Sequence, residues 1–284
     1  MKPTRYDITL CRQDPKTAAD ALAHHTGISK TRIKEAMMKG AVWHQRPNSK
    51  RRRIRRATSP MQTGDRLLLF YDPSILALKP TVGECLKEYQ HYSIWLKPSG
   101  LLTQGTHYGD HCALMRQVEH HFQHKRKVFL VHRLDREAAG LVIMAHNRKA
   151  AALFSNLFQC GAVTKQYRIR VKGDLSGKKE NSRIDLPLDN KSALTEFTPL
   201  SYDAAGDQTL ADVRLYTGRY HQIRRHFNMI GHPVMGDPRY GLDNRNKQGL
   251  QLLAYRLEFE CPFGGGRIET RLDLEKWGMQ SKRQ

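Results

Sequence analysis

Two short apolar runs, Val128–Val131 and Leu141–Ala145, bracket the charged stretch from His132 to Glu137. Both runs are rich in β-branched residues and too short for buried helices, so they read as buried strands. A chain with this pattern must form a sheet core whose strand ends carry His132, Arg133, Asp135, Arg136 and Glu137 into one loop. That loop is either a solvated turn with local ion pairs or a place where the core presents a carboxylate to a substrate.

The 284 residues suffice for a full core, with one large domain and one small one. The chain is expected to be soluble and cytoplasmic. No run has the apolar length of a membrane span, and the start "MKPTRYDITLCRQD" lacks the apolar centre of a signal peptide. Five scattered cysteines without a C-x-x-C pair argue for a reducing compartment and against disulfides or a zinc ribbon. Lys and Arg outnumber Asp and Glu by 48 to 27, a surplus that usually answers a polyanion. With no basic amphipathic helix bearing an aromatic face, nucleic acid is favoured over a membrane surface.

The surplus is uneven. Residues 1–73 hold 16 Lys and Arg against 6 Asp and Glu, so 10 of the 21 net charges lie in about a quarter of the chain. Within it, "TAADALAHHTGISKTRIKEAMMKGAVWH" reads as two short helices and a strand. Ala21, Leu22, Ile28, Ile33, Ala36 and Met37 form the apolar side, and Gly40 stops the second helix. "RPNSKRRRIRRATSP" follows as a basic loop, then "MQTGDRLLLFYD" as a turn and a strand. Through "SKTRIKEAMMKGAV" and "TGDRLLLF" this stretch resembles the alpha-L RNA-binding module of a small-subunit ribosomal protein and several RNA-modifying enzymes. The resemblance implies that Lys30, Arg32 and Lys34 contact RNA, with Arg51, Arg52 and Arg53 adding to the surface. A merely solvated basic face is the plainer alternative.

Domain boundaries are expected at 1–73 for this module, 74–87 for a Pro-containing linker and 88–284 for the second part. In the second part, Ala150–Phe158 has helical spacing and Gly161 ends it. "KQYRIRVKG" alternates, with Tyr167, Ile169 and Val171 on one face and Gln166, Arg168 and Arg170 on the other. Ile223, Phe227 and Ile230 face the core from a later helix, leaving Arg224, Arg225 and Asn228 to a surface or cleft.

"HRLDREAAGL", "KQYRIRV" and "GRYHQIRRHF…GHPVMGDPRYG", flanked by "WLKPSGLL" and "LLAYRLEF", occur in that order. Over roughly 90–275 they resemble the RluA-type pseudouridine synthases. The resemblance implies an α+β fold, a central mostly antiparallel sheet with flanking helices and a catalytic cleft. It implies that a uridine in structured RNA is flipped out and its N–C glycosidic bond exchanged for a C–C bond. Such an isomerisation needs no cofactor, dinucleotide, nucleotide or metal, and the sequence carries no phosphate-binding loop. By the same match Asp135 is the nucleophile, and Arg224 the cation that pairs with it. Arg133 fills the space left by the flipped base. Tyr167 lies near the uracil and exchanges a proton. Leu252 packs under the base, and His132 joins the substrate-binding residues. The chain departs from the family with Ala138–Ala139 for Thr-Ser, Tyr220 for Thr and Leu253 for His.

Each residue has a plainer role. Asp135 between arginines is a common structural ion pair, Tyr167 and Leu252 are ordinary core residues, and Arg224 an ordinary helix-surface residue. Asp135 with Glu137 as a glycosidase pair leaves the +21 charge unexplained. His120 and His124, at i and i+4, lack an evident further zinc ligand. The sequence thus points to a monomeric RNA uridine isomerase, acting on ribosomal RNA before transfer RNA. Its rival is a non-catalytic RNA-binding or ribosome-assembly factor on the same fold.

Overall fold

Alanine and leucine at helical spacing, followed by a β-branched run, give the first part of the chain two helices against a small sheet. The computed structural model describes residues 2–279. It forms two compact units, the first made of residues up to Thr81 together with Gln104–His121. This unit holds β1 (Thr4–Thr9), α1 (Ala18–Thr26), α2 (Lys30–Met38), β2 (Val42–Gln45), β3 (Arg52–Arg53), β4 (Arg66–Tyr71), α3 (Pro73–Leu76) and α4 (Leu114–His121). Its antiparallel sheet runs β1-β4-β2-β3. Leu22, Ile33 and Met37 from the helices meet Leu67 and Leu69 of β4 in one core cluster. Thr17 caps α1 by accepting from the Asp20 amide, and left-handed Gly27 ends it. Gly40 follows α2 at φ +81°; a Cβ there would meet the Asp110 carboxylate at 2.4 Å. Only glycine permits both the turn and that approach.

The expected boundaries differ from these contacts. Residues 104–121, read as part of the second region, pack with the first because Asp110 pairs with Arg55 at 2.5 Å and Arg53 at 3.3 Å. Nor is 74–87 simply a linker, since it overlaps α3 and most of an edge strand, β5 (Glu84–Glu88).

The second unit comprises Val82–Thr103 and the chain from Phe122 onward. After β5 come β6 (Tyr92–Lys97), β7 (Phe129–Leu130), β8 (Ala139–Ala145), α5 (Arg148–Gln159), β9 (Thr164–Lys172), β10 (Ser182–Asp185), β11 (Leu194–Asp203), β12 (Gln208–Leu215), α6 (Gln222–Met229), β13 (Leu252–Glu260) and β14 (Arg267–Arg271). The sheet order is β10-β11-β12-β9-β13-β8-β6-β5, with β14 on β13 and β7 on β8. Only the β13–β8 pair is parallel among the described strands. The fold is therefore α+β with a mostly antiparallel central sheet.

β8 is the apolar run foreseen at Leu141–Ala145, and all seven of its residues are buried. Its partner run at 128–131 shrinks to the two half-buried residues of β7. Asn147 caps α5 on the Ala150 amide, and Phe154 carries the helix into the sheet core with Tyr92, Leu141 and Phe259. On β9, Tyr167, Ile169 and Val171 are buried as their alternation requires, but Arg168 is buried too, paired with Asp212 at 2.7 Å.

His120 ends up in α4 while His124 lies beyond it at φ +59°, so one helix does not carry both. Among the described residues no group of three His, Cys, Asp or Glu side chains is arranged to hold a metal. No described helix is long and apolar enough to cross a membrane.

Candidate active site

Asp135 sits in the loop from β7 to β8, and the segment following β6 clasps that loop from outside. Thr103 Oγ1 donates to the Leu134 carbonyl at 2.7 Å and accepts from its amide at 3.1 Å. The Gly100 amide donates to Arg136 O at 2.8 Å, and Ser99 Oγ to Glu137 O at 2.6 Å. Fully buried Lys97, at the end of β6, points its Nζ at the carbonyls of Pro98, Leu101, Arg136 and Ala138. Burial pushes this ammonium down to about 7, while Asp135 and Glu137 pull it back up. Four acceptors around one nitrogen match an ammonium better than an amine, which has only two N–H groups. Ala138 and Ala139, where the family commonly has Thr-Ser, offer no side-chain hydroxyl, and residues 97–103 hold the loop through the bonds above.

α6 delivers the counter-charge. Gln222 anchors its first turn to Leu194 O and Thr195 Oγ1, both at 3.0 Å. Arg224, foreseen for a surface or cleft, is only 2% exposed. Its Nε and one terminal nitrogen grip buried Asp237 at 2.7 and 2.8 Å, a fork-on-fork pair. The other terminal nitrogen donates to Asp135 Oδ2 at 3.0 Å and lies 3.7 Å from Glu137. Burial works against the guanidinium's charge, but the hydrogen bonds to Asp237 and Asp135 more than offset it, so its pKa lies above the ordinary range. For Asp237, burial likewise opposes charge and is outweighed by Arg224 and the amides of Arg239 and Tyr240, leaving its pKa below the usual value. Asp237 is thus committed to structure. Asp135, with 18% of its side chain exposed, keeps an accessible face.

His221 completes the cluster. It stands before α6 in a left-handed conformation, φ +52°, uncommon for a side chain of this size. Its Nε2 is 3.6 Å from Asp135 Oδ1 and 3.3 Å from Arg224, and its Nδ1 meets the Tyr240 hydroxyl at 3.1 Å. Burial depresses its pKa, Asp135 opposes this, and Arg224 and Arg239 add to it.

Asp135, His221 and Arg224 line a cavity of about 700 Å3 together with Arg133, His132, Tyr167 and Leu252. The volume is in the range of small-molecule sites. Tyr167 is 8% exposed, and burial, with the negative field of Asp135, holds its phenol protonated well above the usual range. Leu252 is 6% exposed and pairs with Ile169 across the β13–β9 ladder. Arg133 is exposed at the rim. His132 is more constrained than its expected role suggests. Its Nε2 accepts from the Ile143 amide at 2.9 Å, its ring stacks on Phe158, and burial pushes its pKa down to about 3. It is a neutral wall of the cavity.

In the first unit, Lys30, Arg32, Lys34, Arg51 and Arg52 are exposed, Lys30 pairing with Asp20 at 2.6 Å. Arg53 departs from the expectation. Its guanidinium bonds the carbonyls of Gly40 and Thr106, pairs with Asp110 and covers the Trp43 ring, so it is tied up internally.

Sequence reasoning gave no role to Lys97, His221, Asp237 or Tyr240. All four lie inside the quoted stretches "WLKPSGLL", "GRYHQIRRHF" and "GHPVMGDPRYG", but no local pattern tells which acid holds a buried arginine.

Residues 91–229 match the RNA pseudouridylate synthase family. A dual-specificity RNA pseudouridine synthase of Vibrio parahaemolyticus is 32% identical over 58% of this chain and 73% of its own. An uncharacterized RNA pseudouridine synthase of Aquifex aeolicus is 29% identical over 84% of this chain and 83% of its own. Ribosomal large subunit pseudouridine synthase D of Zymomonas mobilis is 27% identical over 67% and 69% of the two chains. Among solved structures, human RNA Pseudouridylate Synthase Domain Containing 1 shares the fold with a TM-score of 0.57, at 21% identity over 69% of this chain and 86% of that one. Ordered motifs, fold and relatives agree, and the chain belongs to the RluA-type RNA pseudouridine synthases.

Proposed function

We propose that the chain converts specific uridines in structured RNA to pseudouridine, ribosomal RNA being favoured over transfer RNA, with Asp135 as the nucleophile. One observation carries this reading. Arg224 is buried and already neutralised by Asp237, yet it extends a further hydrogen bond to Asp135, whose other face opens onto the cavity. A purely structural ion pair would not need the second carboxylate at a cavity wall.

On this mechanism a uridine leaves its stack and enters the cavity, Arg133 filling the space it vacates. Arg224 stabilises the Asp135 carboxylate and orients one oxygen, leaving the other free to attack. As in glycoside chemistry, the carboxylate captures or stabilises the electron-poor centre while the N–C bond breaks. The freed base turns and rebonds through carbon. Protonated Tyr167 lies beside the uracil to exchange a proton, and Leu252 supports the ring from below. The name of the Zymomonas mobilis relative supports ribosomal RNA as the substrate. Exposed Lys30, Arg32, Lys34, Arg51 and Arg52 of the first unit, in the manner of an alpha-L module, hold the RNA by its phosphates.

Asp135→Asn tests the reading. The isostere keeps the loop's shape and one hydrogen bond from Arg224, which retains Asp237. Near-normal melting and RNA affinity are expected, with no pseudouridine formed when cellular RNA lacking the modification is treated and mapped. Normal conversion by this variant makes Asp135 structural and overturns the mechanism. Wild type that binds RNA but modifies none of it favours the assembly-factor reading.

A further inference from the structure

Tyr220 stands on the rim of the cavity, 49% exposed, on the loop that leads into α6. The loop needs no large apolar ring there; the family resemblance expects only a threonine. Yet the ring is held firmly. It lies against the His221 imidazole with centroids 3.7 Å apart and planes at 21°, and its hydroxyl accepts from Arg239 at 3.3 Å. The guanidinium carbons of Arg133 and Arg239 are 6.0 and 5.9 Å from the ring centroid. That is the outer limit of cation–π attraction, so neither arginine seals the ring. The result is an open, pre-oriented aromatic surface beside two cations. It is one side chain away from Asp135, because His221 touches both.

A base drawn out of a stack leaves its neighbour with an uncovered face. An exposed aromatic ring can cover such a face whatever the base identity. Because His221 and Arg239 already fix the ring, little side-chain freedom is lost on contact. We propose that Tyr220 is a stacking platform for the nucleotide adjoining the flipped uridine, with Arg239 taking that nucleotide's phosphate. This rests on the uridine-isomerase reading and adds to it a positioning residue that favours RNAs in which the neighbouring base is free to turn onto the ring.

The test uses the full-length protein and a short RNA carrying a mapped target uridine, made intact or abasic on its 5′ or 3′ side. Tyr220→Ala is expected to raise KM about tenfold on the intact RNA, the scale of one lost base–aromatic stack, with kcat within about twofold. Tyr220→Phe and Tyr220→Trp restore KM to within about threefold, since both keep the ring. Removing the neighbouring base from the RNA raises the wild-type KM by a similar factor, and Tyr220→Ala then adds nothing, which is the coupling a direct contact requires. An equal penalty on intact RNA and on both abasic RNAs overturns the platform. So does a fall in kcat with KM unchanged, which marks Tyr220 as a support for His221 instead. If wild type converts no uridine in any RNA, the isomerase reading and the platform fail together; if it converts uridine and the coupling is absent, only the platform fails.

Discussion

Arg224 is a buried cation whose two hydrogen-bonded carboxylates differ in kind. Asp237 is buried, gripped by two guanidinium nitrogens and by two backbone amides, whereas Asp135 receives one bond and faces the cavity. Asp237→Ala should therefore cost about 3–5 kcal/mol of stability, because it strands a desolvated charge. Thermal and urea melts check this, and a variant as stable as wild type would mean that Asp135 and Glu137 suffice to neutralise Arg224. Tyr167→Phe belongs at the same scale. The ring keeps its burial in the sheet and its place at the cavity, so melting and RNA binding should hold. Isomerisation should slow by about 100-fold or more, the usual contribution of a positioned proton donor or acceptor. Turnover at the wild-type rate would make Tyr167 a packing residue. The candidate residues themselves were legible in the sequence, since their motifs are long and ordered. Asp237, His221 and Lys97 were not assigned, because each acts through a partner distant in sequence or through backbone carbonyls.

Among the elements, β8 positions the reactive loop. Its burial on both faces, readable from "LVIMA", requires cover above and below the sheet, while its backbone is paired laterally by β6, antiparallel, and at Ala139–Gly140 by β13, parallel. The crossing with β13 is close. Gly140 has φ +128°, and a Cβ there would lie 2.3–2.7 Å from the backbone of Ala254. Gly140→Ala should accordingly destabilise the chain by several kcal/mol, or leave it insoluble, through strain at a left-handed position and a clash with backbone that cannot move aside. A melting curve like that of wild type would refute this. Strand β7 came out shorter than its apolar sequence promised. Such a run marks burial, but the length of a ladder is decided by the partner's register.

Over the whole molecule the charge surplus is the property that composition alone announced. If the first unit binds RNA phosphates through α2, replacing Lys30, Arg32 and Lys34 by Gln should lower the slope of log affinity against log salt by about 2–3, at roughly 0.7–0.9 per lost contact. Conversion of a short target RNA at saturating concentration should be little affected. An unchanged slope would remove α2 from the interface. Arg53→Gln should behave differently, loosening the first unit through loss of its bonds to Gly40, Thr106 and Asp110 rather than acting on the salt slope. A truncation at residue 73 is a poor test of the same idea, since residues 104–121 belong to that unit and would be left without Arg53 and Arg55.

By itself the sequence determined what short-range chemistry controls: the buried strand β8, the helices α1 and α5, the buried face of β9, and the basic character of α2. It also carried Asp135, Tyr167 and Arg224 in motifs whose resemblance to a known family implies one cleft. Tertiary structure decided which ionisable groups are committed to the fold and which remain free to act. Arg53 and Asp110, Arg168 and Asp212, and Arg224 and Asp237 are pairs between residues 57, 44 and 13 positions apart in the chain. In each pair the arginine is largely removed from water, where a charge requires a specific partner. No local pattern of residues fixes that choice, because it depends on which chain segments the sheet brings together.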